Sequence, residues 1–311
     1  MDYELYHDES QVEGYWHGIL LVAVATKSLF LKYLHDIRQK IGYGEPISLK
    51  NVKGENRVFS CAEAWVLFAI GAMISTSKRT SYPILFKKEL GGKLGYCSYE
   101  DEVGHLIKAK YILFRERDSL NRISDMLDHG GKVETTFRMG LKGGLNFLGS
   151  EEEPINIVKI HFDGYEHYGR TVDENRIIQR MSGLRNYCTF TKDIKYIIDE
   201  RTSNHKKQNS QPYEDCQFLQ LTDLLVGSFR VALGYITNSK GLHERIAEPV
   251  KYLIDKYNEG YARMQNSRWK NSFCMSQCYL DEGQWIFEPV ESARKDINKQ
   301  LNLYEKAGSA S

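Results

Sequence analysis

Between about Glu214 and Tyr235 the apolar positions recur with helical period: at 100° per residue, Phe218, Leu221, Leu225, Phe229 and Ala232 fall on one side. Leu219, Leu224, Val226, Val231 and Leu233 widen that surface until only a narrow seam remains, carrying Cys216, Gln220, Asp223, Gly227, Arg230 and Gly234. A helix apolar nearly all round is a buried one. An ionised carboxylate on it is costly unless it meets a cation, a metal or a set of donors. For Asp223 the plain solution is an ion pair with Arg230, two turns on. Gly227 and Gly234 on the same seam would admit another backbone or a ligand.

The same patterning predicts the other elements. Residues 2 to 8 alternate loosely and 15 to 25 form a β-branched apolar run, so the chain opens on a hairpin with Glu4, Tyr6 and Asp8 on one face and Leu5, His7 and Glu9 on the other. A helix is expected over 28–41, then an irregular segment over 42–54 containing Ser48-Leu49-Lys50. Ser60-Cys61-Ala62-Glu63 reads as a capping box opening a helix to about Met73. A strand is expected over 82–86, a helix over 99–127 and a loose, glycine-punctuated region over 128–154. Ile155 to Asp163 reads as a central strand, Val172-Asp173-Glu174 caps a helix to about Met181, and strands follow at 187–191 and 194–199. Beyond the Asp223 helix come a helix over 242–261, strands near 273–280 and 284–288, and an amphipathic helix over 290–304.

Composition narrows the classes. With 42 Lys+Arg against 41 Asp+Glu in 311 residues, net charge favours neither nucleic acid nor membrane, although local basic strips such as His205-Lys206-Lys207 remain. That strip makes Lys207 a candidate phosphate contact. The six cysteines form no CxxC pair, which points to free thiols in a reducing cytosol. The longest apolar run is too short to span a bilayer, so a soluble cytoplasmic protein with no membrane partner is expected. The last four residues read as a frayed end or expression scar.

Three acids remain: Asp8 and Asp163 at strand ends, and Asp223 in the helix. Separately each has a structural explanation, as a turn residue, a residue before glycine and a salt-bridge partner. Together they could converge only around cations, because like charges raise one another's pKa. Hard divalent ions, Mg²⁺ or Mn²⁺, would suit their oxygens, and a pair of such ions is the logic of phosphodiester hydrolysis. Alternatives are a mixed centre using His7, His161 and His167, or acids held in purely structural pairs. No nucleophile-elbow motif supports a serine hydrolase at Ser10.

Tyr6-His7-Asp8-Glu9-Ser10 at the first strand end, together with Gln220-Leu221-Thr222-Asp223-Leu224 in a late helix, resembles the domain-of-unknown-function 3800 family over roughly residues 3 to 234. The resemblance implies an α/β fold, a ribonuclease H-like mixed sheet flanked by helices, over 1–235 with an insertion near 90–154. Residues 236–307 would be a helix-hairpin-helix extension, and 308–311 a tail. It implies Asp8, Asp163 and Asp223 as catalytic, metal-binding acids for Mg²⁺ or Mn²⁺. Glu9, Ser10 and Gln220 would be close neighbours that contact substrate, and Lys50 stands where members carry an acid-x-Lys element; Lys207 of the basic strip and Arg230 on the helix seam are read from the sequence itself as further substrate contacts. A nuclease on RNA or DNA follows, in a bacterial defence or mobile-element setting, with room for a protein partner or homo-oligomer. The alternative is a catalytically inactive ribonuclease H-like domain that binds nucleic acid or a partner protein.

Overall fold

The computed structural model describes residues 1–74, 107–162, 174–184, 186–191, 211–235, 240–260, 272–290 and 292–293. Strands β1 (Asp2–Gln11) and β2 (Tyr15–Ala23) form the expected antiparallel hairpin, turning through Gly14 at φ +118°, a conformation suited to glycine. β3 (Ala109–Glu116) pairs antiparallel with β2, while β4 (Ile155–Phe162) runs parallel to β1 and β5 (Cys188–Phe190) parallel to β4. β6 (Phe273–Asp281) lies parallel to β3 and is followed by an antiparallel β7 (Gln284–Glu288). The result is one mixed seven-stranded sheet in the order β5-β4-β1-β2-β3-β6-β7.

Helices cover both faces. Helices α1 (Val24–Ile41), α2 (Arg57–Ile74), α5 (Gln211–Ala232) and α6 (Lys240–Gly260) share one core with Tyr6, Trp16, Leu20 and Tyr111 of the sheet. Helices α3 (His129–Leu148) and α4 (Glu174–Met181) share a second core with Leu5, Ile19, Leu21 and Ile112. No helix among the described residues is long and apolar enough to cross a membrane. The five described cysteines form no disulfide.

Three expectations are corrected. Within the span read as helix, 109–116 is a strand paired on both sides and buried on both faces, so it lacks the alternation that marks a half-exposed strand. The region read as loose is mostly α3. Its Gly140 and Gly144 face Phe114 and Ile112 so closely that a Cβ at either position would clash, and Asp128 caps it by accepting from Gly131 N at 2.8 Å. Thus the interval expected to be an insertion supplies a strand between β2 and β6 and a covering helix. The second long helix begins one turn before the proposed capping box, with Asn56 Oδ1 accepting from Phe59 N at 3.2 Å. The strands expected over 82–86 and 194–199 lie outside the described residues, as does most of the helix expected over 290–304.

Helix α5 is buried as its pattern predicts, because it lies between β1 and β2 on one side and α2 and α6 on the other. Its two glycines do different work. At Gly227 a Cβ would stand 2.7 Å from Leu49 Cδ2, so the missing side chain lets the 3₁₀ turn Leu49–Asn51 close on the helix. Gly234, at φ +87°, ends the helix: its N–H donates to Val231 O at 2.9 Å and the next N–H, of Tyr235, to Arg230 O at 3.0 Å.

Candidate functional site at the β1 and α5 crossing

Helix α5 follows β1 in the same direction, and strand parity aims Glu4, Tyr6, Asp8 and Ser10 at it. The contacts run in register. Asp215 meets Glu4 through Lys27, Phe218 lies on the Tyr6 ring at 5.0 Å, and Arg230 Nη1 donates to Ser10 Oγ. Asp8 falls between these contacts. Its ladder partner is Gly18, where a Cβ would stand 2.6 Å from Tyr111 Oη, 3.0 Å from Val226 Cβ and 3.5 Å from Thr222 Cγ2. The absent side chain therefore brings the Tyr111 hydroxyl and the Thr222–Val226 turn, which carries Asp223, up to the strand position opposite Asp8.

The electrostatics agree with that placement. Burial pushes the Tyr111 phenol well above its usual range, and the nearby Asp8 and Asp223 carboxylates push it further. Asp8 is 6 % exposed and accepts from Glu9 N at 2.8 Å through Oδ1. Asp223 Oδ2 and Tyr111 Oη are buried with no hydrogen-bond partner among the described residues. The Arg230 guanidinium is lowered by burial and raised by Asp223 and then Glu13, so it shares the field of Asp223. Yet no ion pair within 4.0 Å joins the two among the described residues, and the plain salt bridge is not made. Tyr111 itself is held rigidly, stacked on Phe229 at 5.0 Å, which stacks in turn on Phe273 at 5.0 Å.

The remaining candidates divide by place. Asp163 and Lys207 lie outside the described residues; the strand leading to Asp163 ends at Phe162, the Cα partner of His7. Glu9 is on the opposite face, 3.8 Å from His7 Nδ1. Lys50 is exposed on the 3₁₀ turn whose Leu49 packs at Gly227, one helical turn beyond Asp223. Gln220 is buried, and its Oε1 accepts from Arg38 Nη2 at 2.9 Å and Ile47 N at 2.7 Å while its Nε2 lies 3.0 Å from Cys216 Sγ. These partners make Gln220 a pin between α5, α1 and the 43–48 segment.

Of the histidines considered for a mixed centre, His7 and His161 lie on opposite faces of the sheet. His7 turns to the α3 side, where it meets His17 at 2.9 Å, His17 meets Thr136 Oγ1 at 2.8 Å, and burial lowers the His7 imidazole to about 3. His161 is on the other face and stacks on Tyr6 at 4.5 Å; His167 lies outside the described residues. Sequence reasoning missed what His161 joins: a fully enclosed group with Glu4 and Asp215 whose ligand atoms all lie within 4.8 Å. Such a group could hold a metal, but Lys27 Nζ already sits 2.5 Å from Glu4 Oε2 and 3.0 Å from Asp215 Oδ1, and Tyr6 Oη donates to the same oxygens at 2.7 and 3.1 Å. The ammonium is the cation of this cluster. The one legible signal was Glu4, an acid on the same strand face as Tyr6 and Asp8.

Comparison with known proteins found no matching family model, no matching curated protein and no matching solved structure. The fold is that of an α/β protein with a mixed seven-stranded sheet flanked by helices, in which the Tyr111 hydroxyl and the helix turn carrying Asp223 approach the strand at Gly18, opposite Asp8.

Proposed function

We propose that this chain is a metal-dependent nuclease of the ribonuclease H-like type, hydrolysing phosphodiester bonds of RNA or DNA. One observation carries the reading. At Gly18, the ladder partner of Asp8, the Tyr111 hydroxyl and the Thr222–Val226 turn that carries Asp223 close on the strand, and Asp223 has a buried oxygen with no hydrogen bond among the described residues. An acid so placed is costly alone and suits a hard cation. The resemblance of the Tyr6–Ser10 and Gln220–Leu224 stretches to the domain-of-unknown-function 3800 family adds to it, since a mixed sheet with one acid on its first strand and another on a helix is the arrangement that family implies.

Asp8 and Asp223, with Asp163, would hold Mg²⁺ or Mn²⁺. A bound divalent ion would supply Lewis-acid stabilisation of phosphate charge and a water of lowered pKa. The chain's own groups do the rest. Arg230, fixed by Ser10, provides a guanidinium beside the acids for a phosphate oxygen, and exposed Lys50 provides a second positive charge. Tyr111, kept protonated, offers a hydrogen-bond donor at the carboxylates.

The test is cleavage of labelled RNA and DNA strands with Mg²⁺ or Mn²⁺. Asp8→Asn and Asp223→Asn should each lower the rate by at least about a hundredfold while leaving the fold intact. Cleavage that survives both substitutions removes these residues from the site. A chain that binds nucleic acid and never cleaves it would be the inactive binding domain instead.

A further inference from the structure

On the face of the sheet away from Asp8 and Asp223, three elements bring paired side chains to one cavity of about 450 Å³. Arg138 and Lys142 are four residues apart on α3, and Arg176 and Arg180 are four apart on α4, so each pair shares a helix face. Trp285 and Phe287 are two apart on the edge strand β7 and share its face. We propose that this groove binds single-stranded nucleic acid, its phosphates on the cations and its bases on the two aromatic rings.

Charge and shape both select that ligand. Glu134 offsets part of the charge, lying 3.5 Å from Arg138 Nε and 3.4 Å from Arg176 Nη1, but Lys142 and Arg180 make no ion pair among the described residues. Arg138 is buried against Glu134, so the charge offered to solvent is that of Lys142, Arg176 and Arg180, in a chain whose overall charge is only +1. Phe287 is 57 % exposed, so its ring face is open to a stacking partner. Unpaired bases present π-faces that stack on such rings whatever their sequence, whereas a duplex hides those faces inside its own stack. An acidic peptide would use the cations and leave the rings idle. The volume falls within the ~300–1,000 Å³ range of ligand sites and leaves room for a nucleotide unit.

The proposal goes beyond the catalytic reading and is measured without turnover. Fluorescence anisotropy with 5′-labelled twelve-nucleotide oligo-dT and oligo-U, in EDTA, reads binding whether or not the chain is a nuclease, and the two arms separate DNA from RNA. Arg176→Ala with Arg180→Ala, both on exposed helix positions, should weaken binding at least about tenfold and lower the log–log salt slope by about 1.4, or ~0.7 per lost phosphate contact. Phe287→Ala should weaken it about fivefold or more with the salt slope unchanged. Lys251→Ala, exposed on α6 on the other side of the sheet, should bind as the parent does. Groove variants that bind like the parent overturn the proposal. So does displacement of the oligonucleotides by polyglutamate at equal charge, which would make the groove a surface for acidic proteins.

Discussion

Lys27 shows what single residues decide here. It is 7 % exposed, and its ammonium lies between two carboxylates and against the Tyr6 ring, 5.7 Å from the centroid. Lys27→Met keeps the stem and removes the charge, leaving Glu4 and Asp215 buried together; such a loss costs about 3–5 kcal/mol, measurable by urea denaturation at pH 7. The pH dependence has a definite sign. Burial pushes the Glu4 carboxyl upward, but hydrogen bonds from His161, Lys27 and Tyr6 outweigh it and hold the group well below its ordinary 4.5. A carboxyl depressed in the folded state contributes stability that is present above pH 4.5 and lost as pH falls below it. The parent should lose stability on that acid limb, and Lys27→Met should lose less. A variant as stable as the parent at pH 7 would refute the ammonium's role as counter-ion. Asp223 stood out in the sequence as an acid inside an apolar helix, and Asp8 as an acid at the end of the first strand. Lys27, Asp215 and Tyr111 were not: each becomes interpretable only when an element distant in sequence packs against it.

At the scale of elements, legibility followed flanking turn signals and β-branched runs more than exposure, since β2 is buried at every position and was still read correctly. β1, β2, β4, β6 and β7 were read where they lie, since alternation, turn residues or β-branched runs mark them. β3 and α3 were misread for one shared reason, that they pack on each other. A strand enclosed on both faces has no polar alternation, and the glycines that let a helix approach it look like turn signals. With β3 missed, Tyr111 could not be placed beside Asp8. Spacing between elements also makes the site sensitive at Gly18. Gly18→Ala puts a methyl where the Tyr111 hydroxyl and Val226 stand, and should destabilise by about 1–3 kcal/mol while lowering any cleavage, because Tyr111 or α5 must move away from Asp8. Gly44→Ala is the control: its Cβ would meet nothing within 4 Å, and its effect should stay within about 0.5 kcal/mol. Equal denaturation midpoints for the two variants would mean that the close approach at Gly18 imposes no constraint.

For the whole molecule, the candidate site sets a carboxylate inside an otherwise apolar layer. The sheet and its two helical layers bury a large apolar core, yet α5, central to one layer, holds Asp223 with a buried oxygen that has no hydrogen bond among the described residues, on the turn that packs at Gly18 opposite Asp8. Functional sites commonly trade stability in this way. Without metal, Asp223→Asn should therefore raise the melting temperature, since it removes one of two like charges around Tyr111 while Arg230 keeps its bond to Ser10. With Mn²⁺ the order should reverse, because a ligand bound only by the folded parent adds about 2.7 kcal/mol at a hundred times its Kd, and the variant has lost a ligand oxygen. Differential scanning fluorimetry across a Mn²⁺ titration reads both halves. Asp215→Asn separates the two acid clusters: the Mn²⁺ shift should persist in it, because its carboxylate is matched to Lys27. A shift lost in Asp215→Asn and retained in Asp8→Asn and Asp223→Asn would move the cation to the Glu4, His161 and Asp215 group. Asp8 and Asp223 would then be acids the fold tolerates for another reason.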